Sequence, residues 1–318
     1  MLRGSRLWGT VVERRRLICV TAESLSQLGC LSKSKSRAIA RRDGFRLTTT
    51  PVAVSQADLI FLALPDTRMA AIYKREIARQ LRPKQALLFA HGFAVYYQTI
   101  FPPKDVDVIM VAPKGLGPMV RTQFLEGKGV PCAIAVHQDA TGHARKLAFA
   151  YREGHWRRPC WRIRNDLSRR NGGGPVSRTS GFLRRYQCLV RAGFETLVEA
   201  GYQPETAYFE CLHELKFLVD LMHRAGISGM RNRISETAKW GDLRVGPKIV
   251  DSRVKRNMKA ALREIQTGKF AREWQRETRT GKKRYRQLLV EGEKAPIEKV
   301  GKRLRALMPW LSEEKANL

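Results

Sequence analysis

Four short apolar runs constrain this chain more than anything else in it: ADLIFLALP from Ala57, ALLFAHGF from Ala86, VDVIMVAPKG from Val106 and PCAIAVHQD from Pro131. A helical stretch through Leu81 separates the first two. Near-continuous apolar runs of this length read as strands buried on both faces, and their alternation with helices predicts a parallel sheet covered on both sides. In such sheets ligands bind at the carboxyl ends of the strands. The loops there carry Asp66 to Met69, His91 with Gly92, and Lys114 to Gly117.

After Ala192 the pattern becomes helical throughout, with Lys and Arg on the polar positions of 3.6-residue repeats. The expected architecture is therefore an α/β Rossmann-like domain over residues 1–165 and an all-α domain over 166–318, a division that 318 residues can support. Within PETAYFECLHELK, residues 204–216, Glu210 and Glu214 stand four apart and so share one helix face. Set among Tyr208, Phe209, Leu212, Leu215 and Phe217, the two like charges would be held by a divalent cation. The plainer alternative is a solvated pair beside Lys216.

The net charge of +31 points to an anionic partner, yet it is unevenly spread. Residues 1–42 hold ten Lys/Arg against Glu13 and Glu23, and residues 155–187 hold nine Arg against Asp166. Together they supply 16 of the 31 charges, so the excess has a local origin. No run of 18 uncharged apolar residues exists, and the six cysteines show no CxxC. The expectation is a cytoplasmic protein with no membrane partner.

Residues 1–42 have the Arg- and Ser-rich composition of an organellar transit peptide, but they occupy the space of a Rossmann domain's first strand, phosphate loop and helix. GxGxxG is absent from the chain. Without those glycines the backbone has no evident route to a pyrophosphate at a helix N-terminus.

The strings FAHGF, DVDVIMVAPKG and AVHQDATG, followed by GISGM, Ser235-Glu236-Thr237-Ala238 and GPKIVD, resemble ketol-acid reductoisomerase. The resemblance is close from about Asp43 to Gly154 and from about Ala192 to Leu311. It implies conversion of 2-acetolactate, or 2-aceto-2-hydroxybutyrate, by alkyl migration and reduction in branched-chain amino-acid synthesis, using NADPH and two Mg²⁺ ions. By the same resemblance His91 and Lys114 are catalytic, and Glu210 and Glu214 bind metal. Ser235 touches substrate. Ser34, Lys35, Ser36, Asp66, Thr67, Arg68, Met69 and Gly117 contact the cofactor. The family implies a helical, knotted C-terminal domain, here in its short form, and a homodimer or larger homo-oligomer whose site is completed by the partner's Glu210 helix. Pro118 stands where the family usually has His.

The resemblance fails at about 1–32 and 154–188. Read one base earlier, codons for CVTAESLSQLG from Cys19 can spell LRDSGVSVTVG, which is similar to the family's first helix and second strand. Starting two bases earlier, the second span can spell IGGGRAGVFETTF and then ETEADLF and EQAVFCGG, similar to the family's metal-ligand segment. A carboxylate pair would then lie across Gly174/Pro175 and Arg178/Thr179, where the chain as given has none. These frame disruptions make an inactive family member the alternative reading, with activity of the chain as written low or absent. Trp156, Trp161 and the arginines leave a weaker third reading, a basic nucleic-acid-binding protein.

Overall fold

The structure is a computed structural model that describes residues 17–22, 25–30, 36–42, 46–115, 120, 122–123, 126, 128–155, 162–164 and 186–309. The chain separates into two compact units, Met1–Thr179 and Ser180–Ala316. The expected break at residue 165 lies outside the described residues.

In the first unit an eight-stranded sheet has the order β3-β2-β1-β4-β5-β6-β7-β8, with β1 Leu17–Ala22, β2 Leu25–Cys30, β3 Arg46–Thr48, β4 Leu59–Ala63, β5 Ala86–Phe89, β6 Asp107–Pro113, β7 Cys132–Gln138 and β8 Arg162–Arg164. β4, β5 and β6 are parallel neighbours, in the register Leu62 to Phe89 and Phe89 to Met110. The four apolar runs are all strands, but the last departs from the parallel expectation. β7 runs antiparallel to β6, with a register shift between Val108 and Ile109.

The apolar runs are continuous because both faces of the central strands are covered. Leu59, Phe61, Leu88, Ile109 and Val111 pack on one side with Ala40 of α1 (Ser36–Arg42) and with Ala144, Ala148 and Tyr151 of α5 (Ala144–His155). Ile60, Leu62, Leu87, Phe89 and Val108 pack on the other. There they meet Ala53 and Val54 of α2 (Thr50–Gln56), Met69 and Ile72 of α3 (Asp66–Ile72), and Ala94 of α4 (Phe93–Tyr96). Each fully buried Leu, Ile or Phe contributes about 1.5–3 kcal/mol relative to exposure.

Two buried polar groups tie the loops to this core. The Asp107 carboxylate accepts from Ala140 N at 2.7 Å, Thr141 N at 3.0 Å and Thr141 Oγ1 at 2.7 Å, which fixes the turn after β7. Gln85 donates through Nε2 to the carbonyls of Val54 and Ala57, while its Oε1 accepts from Arg82 N.

The N-terminal edge departs from a Rossmann order of directions. β1 lies between β2 and β4 and is antiparallel to both, pairing Leu17 with Cys30 and with Ala63. Only two residues, Glu23 and Ser24, separate β1 from β2. A parallel crossover needs a dozen or more residues, so this connection has no room for the helix of a βαβ unit.

The described part of the second unit is all helical: α6 Tyr186–Glu199, α7 Pro204–Tyr208, α8 Glu214–Arg231, α9 Glu236–Ile249, α10 Ser252–Gln266, α11 Lys269–Arg279, α12 Lys283–Glu293 and α13 Pro296–Ala306. A π-helical turn, Phe209–His213, joins α7 to α8. Phe194, Ala207, Tyr208, Ile297, Val300 and Leu304 form its core. At Gly301 the backbone passes so close to the Tyr208 ring that an added Cβ would sit 2.5 Å from Cε2. α8 to α12 bury little else, and Phe217, Ile227, Trp240, Leu243, Ile249 and Leu288 are exposed.

Candidate active site

The parallel strands β4 and β5 deliver Asp66 and His91 to one edge of the sheet. Asp66 opens α3 just beyond β4, and His91 follows β5 immediately before the Gly92 cap of α4. His91 Nε2 lies 2.9 Å from Asp66 Oδ1. The imidazole is almost completely enclosed, at 9% side-chain exposure, whereas Asp66 retains 26%. Oδ1 of Asp66 and Nδ1 of His91 are both buried without a hydrogen-bond partner, so the contact is a close N···O approach lying off the N–H axis.

Beside them, Thr67 is partly covered and Arg68 exposed, but Met69 is 1% exposed and belongs to the core. The backbone N–H groups of Arg68 and Met69 both donate to Pro65 O at 2.9 Å. Of the four positions expected at the cofactor, Asp66 and Thr67 are therefore the ones whose backbone N–H groups α3 leaves to other partners.

Lys114 follows β6 and is anchored by its own N–H to Pro131 O at 2.7 Å. Partial desolvation lowers its pKa below the ordinary lysine value, with the neighbouring Cys132 thiol acting in the opposite sense. Part of the side chain still reaches solvent, which limits the effect. Gly117, Ser34 and Lys35 lie outside the described residues, and Ser36 begins α1.

In the second unit Glu210 sits in the π-helical turn and Glu214 follows it, with Glu214 N–H closing on Phe209 O. The wider turn brings residues four apart nearer to eclipse than an α-helix does, and such turns recur at functional sites. Phe209, His213 and Phe217 form an edge-to-face row at 5.3 and 5.5 Å along the same stretch. Both glutamates are exposed, so water can solvate their charges and the pair does not by itself demand a cation. Ser235 Oγ accepts the Ala238 N–H at 3.2 Å as the N-cap of α9, an occupation that leaves its own proton to donate.

These residues fit the implied groups only in part. Carboxylate oxygens suit Mg²⁺, but no cluster of three or more His, Cys, Asp or Glu side chains exists among the described residues. A dinucleotide needs the turn after a parallel first strand to cradle its pyrophosphate, and β1 runs the other way. The two unpartnered polar atoms of Asp66 and His91 lie at the carboxyl ends of β4 and β5.

The pairing of Asp66 with His91 was not legible from spacing, since 25 residues separate them. Only the parallel register of β4 with β5 brings them together. Asp107 and Gln85, the two buried hubs, likewise gave no sequence signal beyond their polarity.

The sheet unit gathers polar side chains at its strand ends, and the helical unit bears a carboxylate pair. Residues 25–157 match the acetohydroxy acid isomeroreductase NADPH-binding domain, and residues 185–310 match the ketol-acid reductoisomerase C-terminal domain. The ketol-acid reductoisomerase (NADP(+)) of Saccharopolyspora erythraea is 47% identical over 89% of this chain and 86% of its own length. That of Petrotoga mobilis is 43% identical over the same shares. A solved NADH-preferring ketol-acid reductoisomerase from an uncultured archean superposes with a TM-score of 0.79 at 39% identity, covering 87% of this chain and 84% of its own. The chain belongs to the ketol-acid reductoisomerase family, enzymes of branched-chain amino-acid biosynthesis.

Proposed function

We propose that this chain derives from a cytoplasmic enzyme that converts 2-acetolactate to 2,3-dihydroxy-isovalerate, and 2-aceto-2-hydroxybutyrate likewise, and that as written it has little or no activity. The observation that carries the second half is the direction of β1, which removes the turn that would hold a pyrophosphate. The missing second carboxylate pair acts in the same direction. In the complete site Mg²⁺ would polarise the migrating carbonyl and the nicotinamide would supply hydride.

His91 and Lys114 are the polar groups we assign to proton handling or electrostatics at the strand ends, Glu210 and Glu214 to the retained half of the dinuclear metal site, and Ser235 to the substrate. Asp66 to Met69, Gly117 and Ser34 to Ser36 are assigned to the cofactor. Selectivity for NADPH over NADH rests on the last three, and the NADH-preferring structural relative makes both nucleotides the right comparison. The exposed apolar side chains of α8, α9 and α12 support a homodimer or larger assembly, with the knotted helical domain of the family at its centre.

Purified protein of verified intact mass, assayed for Mg²⁺-dependent oxidation of NADPH and of NADH with 2-acetolactate, tests this reading. We expect no turnover above background. The same assay on a chain with both reading frames restored should show it. Activity of the chain as written would reject the impairment, and inactivity of the restored chain would reject the assignment itself.

A further inference from the structure

We propose that Asp66 is the positioning residue of His91. Its carboxylate holds the imidazole as the Nε2–H tautomer and leaves Nδ1 as the proton-accepting atom. This rests on the assignment of His91 as a catalytic group and adds which of its nitrogens acts and what orients it. A neutral imidazole has one donor and one acceptor nitrogen, and the partner of one decides the character of the other. Here Nε2 lies 2.9 Å from Oδ1, outside hydrogen-bond geometry but close enough for the carboxylate to favour a proton on Nε2, so the acceptor role falls to Nδ1.

The unusual feature is that Nδ1 is buried and has no hydrogen-bond partner. A structural histidine in a core satisfies both nitrogens, because an unpaired buried polar atom costs about 1–3 kcal/mol. The surroundings are dry: the His91 side chain is 9% exposed, and Leu64 and Phe93, each two residues from a member of the pair, are 4% and 5% exposed. Asp66 is fixed by its place at the start of α3, and His91 by the end of β5. Neither side chain needs to search for the other, since paired strands set the separation.

The test is nitrogen-15 NMR of the full chain, with the six histidines assigned by single replacements such as His91→Gln. Long-range proton–nitrogen spectra separate the two neutral tautomers. We expect His91 in the Nε2–H form, with its two nitrogen shifts moving toward the tautomer average in Asp66→Asn. An Nδ1–H form in the unsubstituted chain, or His91 shifts indifferent to Asp66→Asn, would overturn the proposal. Should Asp66→Asn fail to fold, the unsubstituted spectrum and Asp66→Glu decide it. Asp66→Glu is expected to keep the Nε2–H form, and a mixed tautomer in the unsubstituted chain rejects the proposal. The readout needs no turnover, so an inactive frame-restored chain alongside the expected spectrum would count against the enzymatic assignment and not against the pair.

Discussion

Val20 lies opposite Ile60 in the sheet and runs against it, although Ile60 runs with Leu87 on its other side. The parallel run of β4, β5 and β6 therefore ends at β1.

NADPH binding should therefore be weak. Fluorescence titration of the chain as written is expected to give an affinity at least about 100-fold below that of a frame-restored chain, a difference of about 2.7 kcal/mol. Equal affinities would show that the pyrophosphate is held by something other than the first strand's turn.

The carboxylate pair should matter for metal and not for the fold. Glu210→Gln and Glu214→Gln are exposed changes, expected to alter stability by no more than about 0.5 kcal/mol in urea denaturation. Calorimetric titration with Mg²⁺ should show any residual binding disappear in both. A large loss of stability in either would place the side chain in the packing instead.

Gly301→Ala should destabilise the helical unit. Its new methyl would sit 2.5 Å from Tyr208 Cε2 in a core with no slack, and overpacking of this kind costs about 1–3 kcal/mol. Thermal unfolding of the variant would come earlier. An unchanged midpoint would mean that Tyr208 can swing away.

Tyr73 supplies a pH dependence whose sign can be worked out. Burial pushes its phenol up to about 12 from 10.0, so the folded state favours the neutral form. The resulting stabilisation is fully present below pH 10 and is lost as pH rises through the interval from 10.0 to about 12. Following phenolate absorbance and unfolding together should show one late-titrating tyrosine whose loss in Tyr73→Phe flattens the stability profile there.

The coding bases offer the most direct check. Resequencing codons 1–45 and 150–192, with an intact-mass measurement, should reveal compensating insertions or deletions. If they vanish, the chain was misread and a complete family sequence lies beneath; if they are real, the chain is a damaged copy.

How much of this was legible beforehand depended on how local the signal was. The strands β4 to β7 announced themselves because continuous apolar runs follow from burial on both faces, as Ile60 and Phe61 illustrate on opposite cores. The direction of β7 did not, since an apolar run carries no sign. Glu210 and Glu214 could be found by spacing, but their π-helical turn and their exposure could not. Ser235 was read as a substrate contact from its motif, and the same Ser-Glu-Thr-Ala string also describes a helix start, which is how the structure uses it.

A slot between β2 and β4 that closes its backbone hydrogen bonds with a strand of either polarity asks little of the segment that fills it. Completing the sheet and supplying a phosphate-binding turn are thus separate demands on one segment, and β1 meets the first.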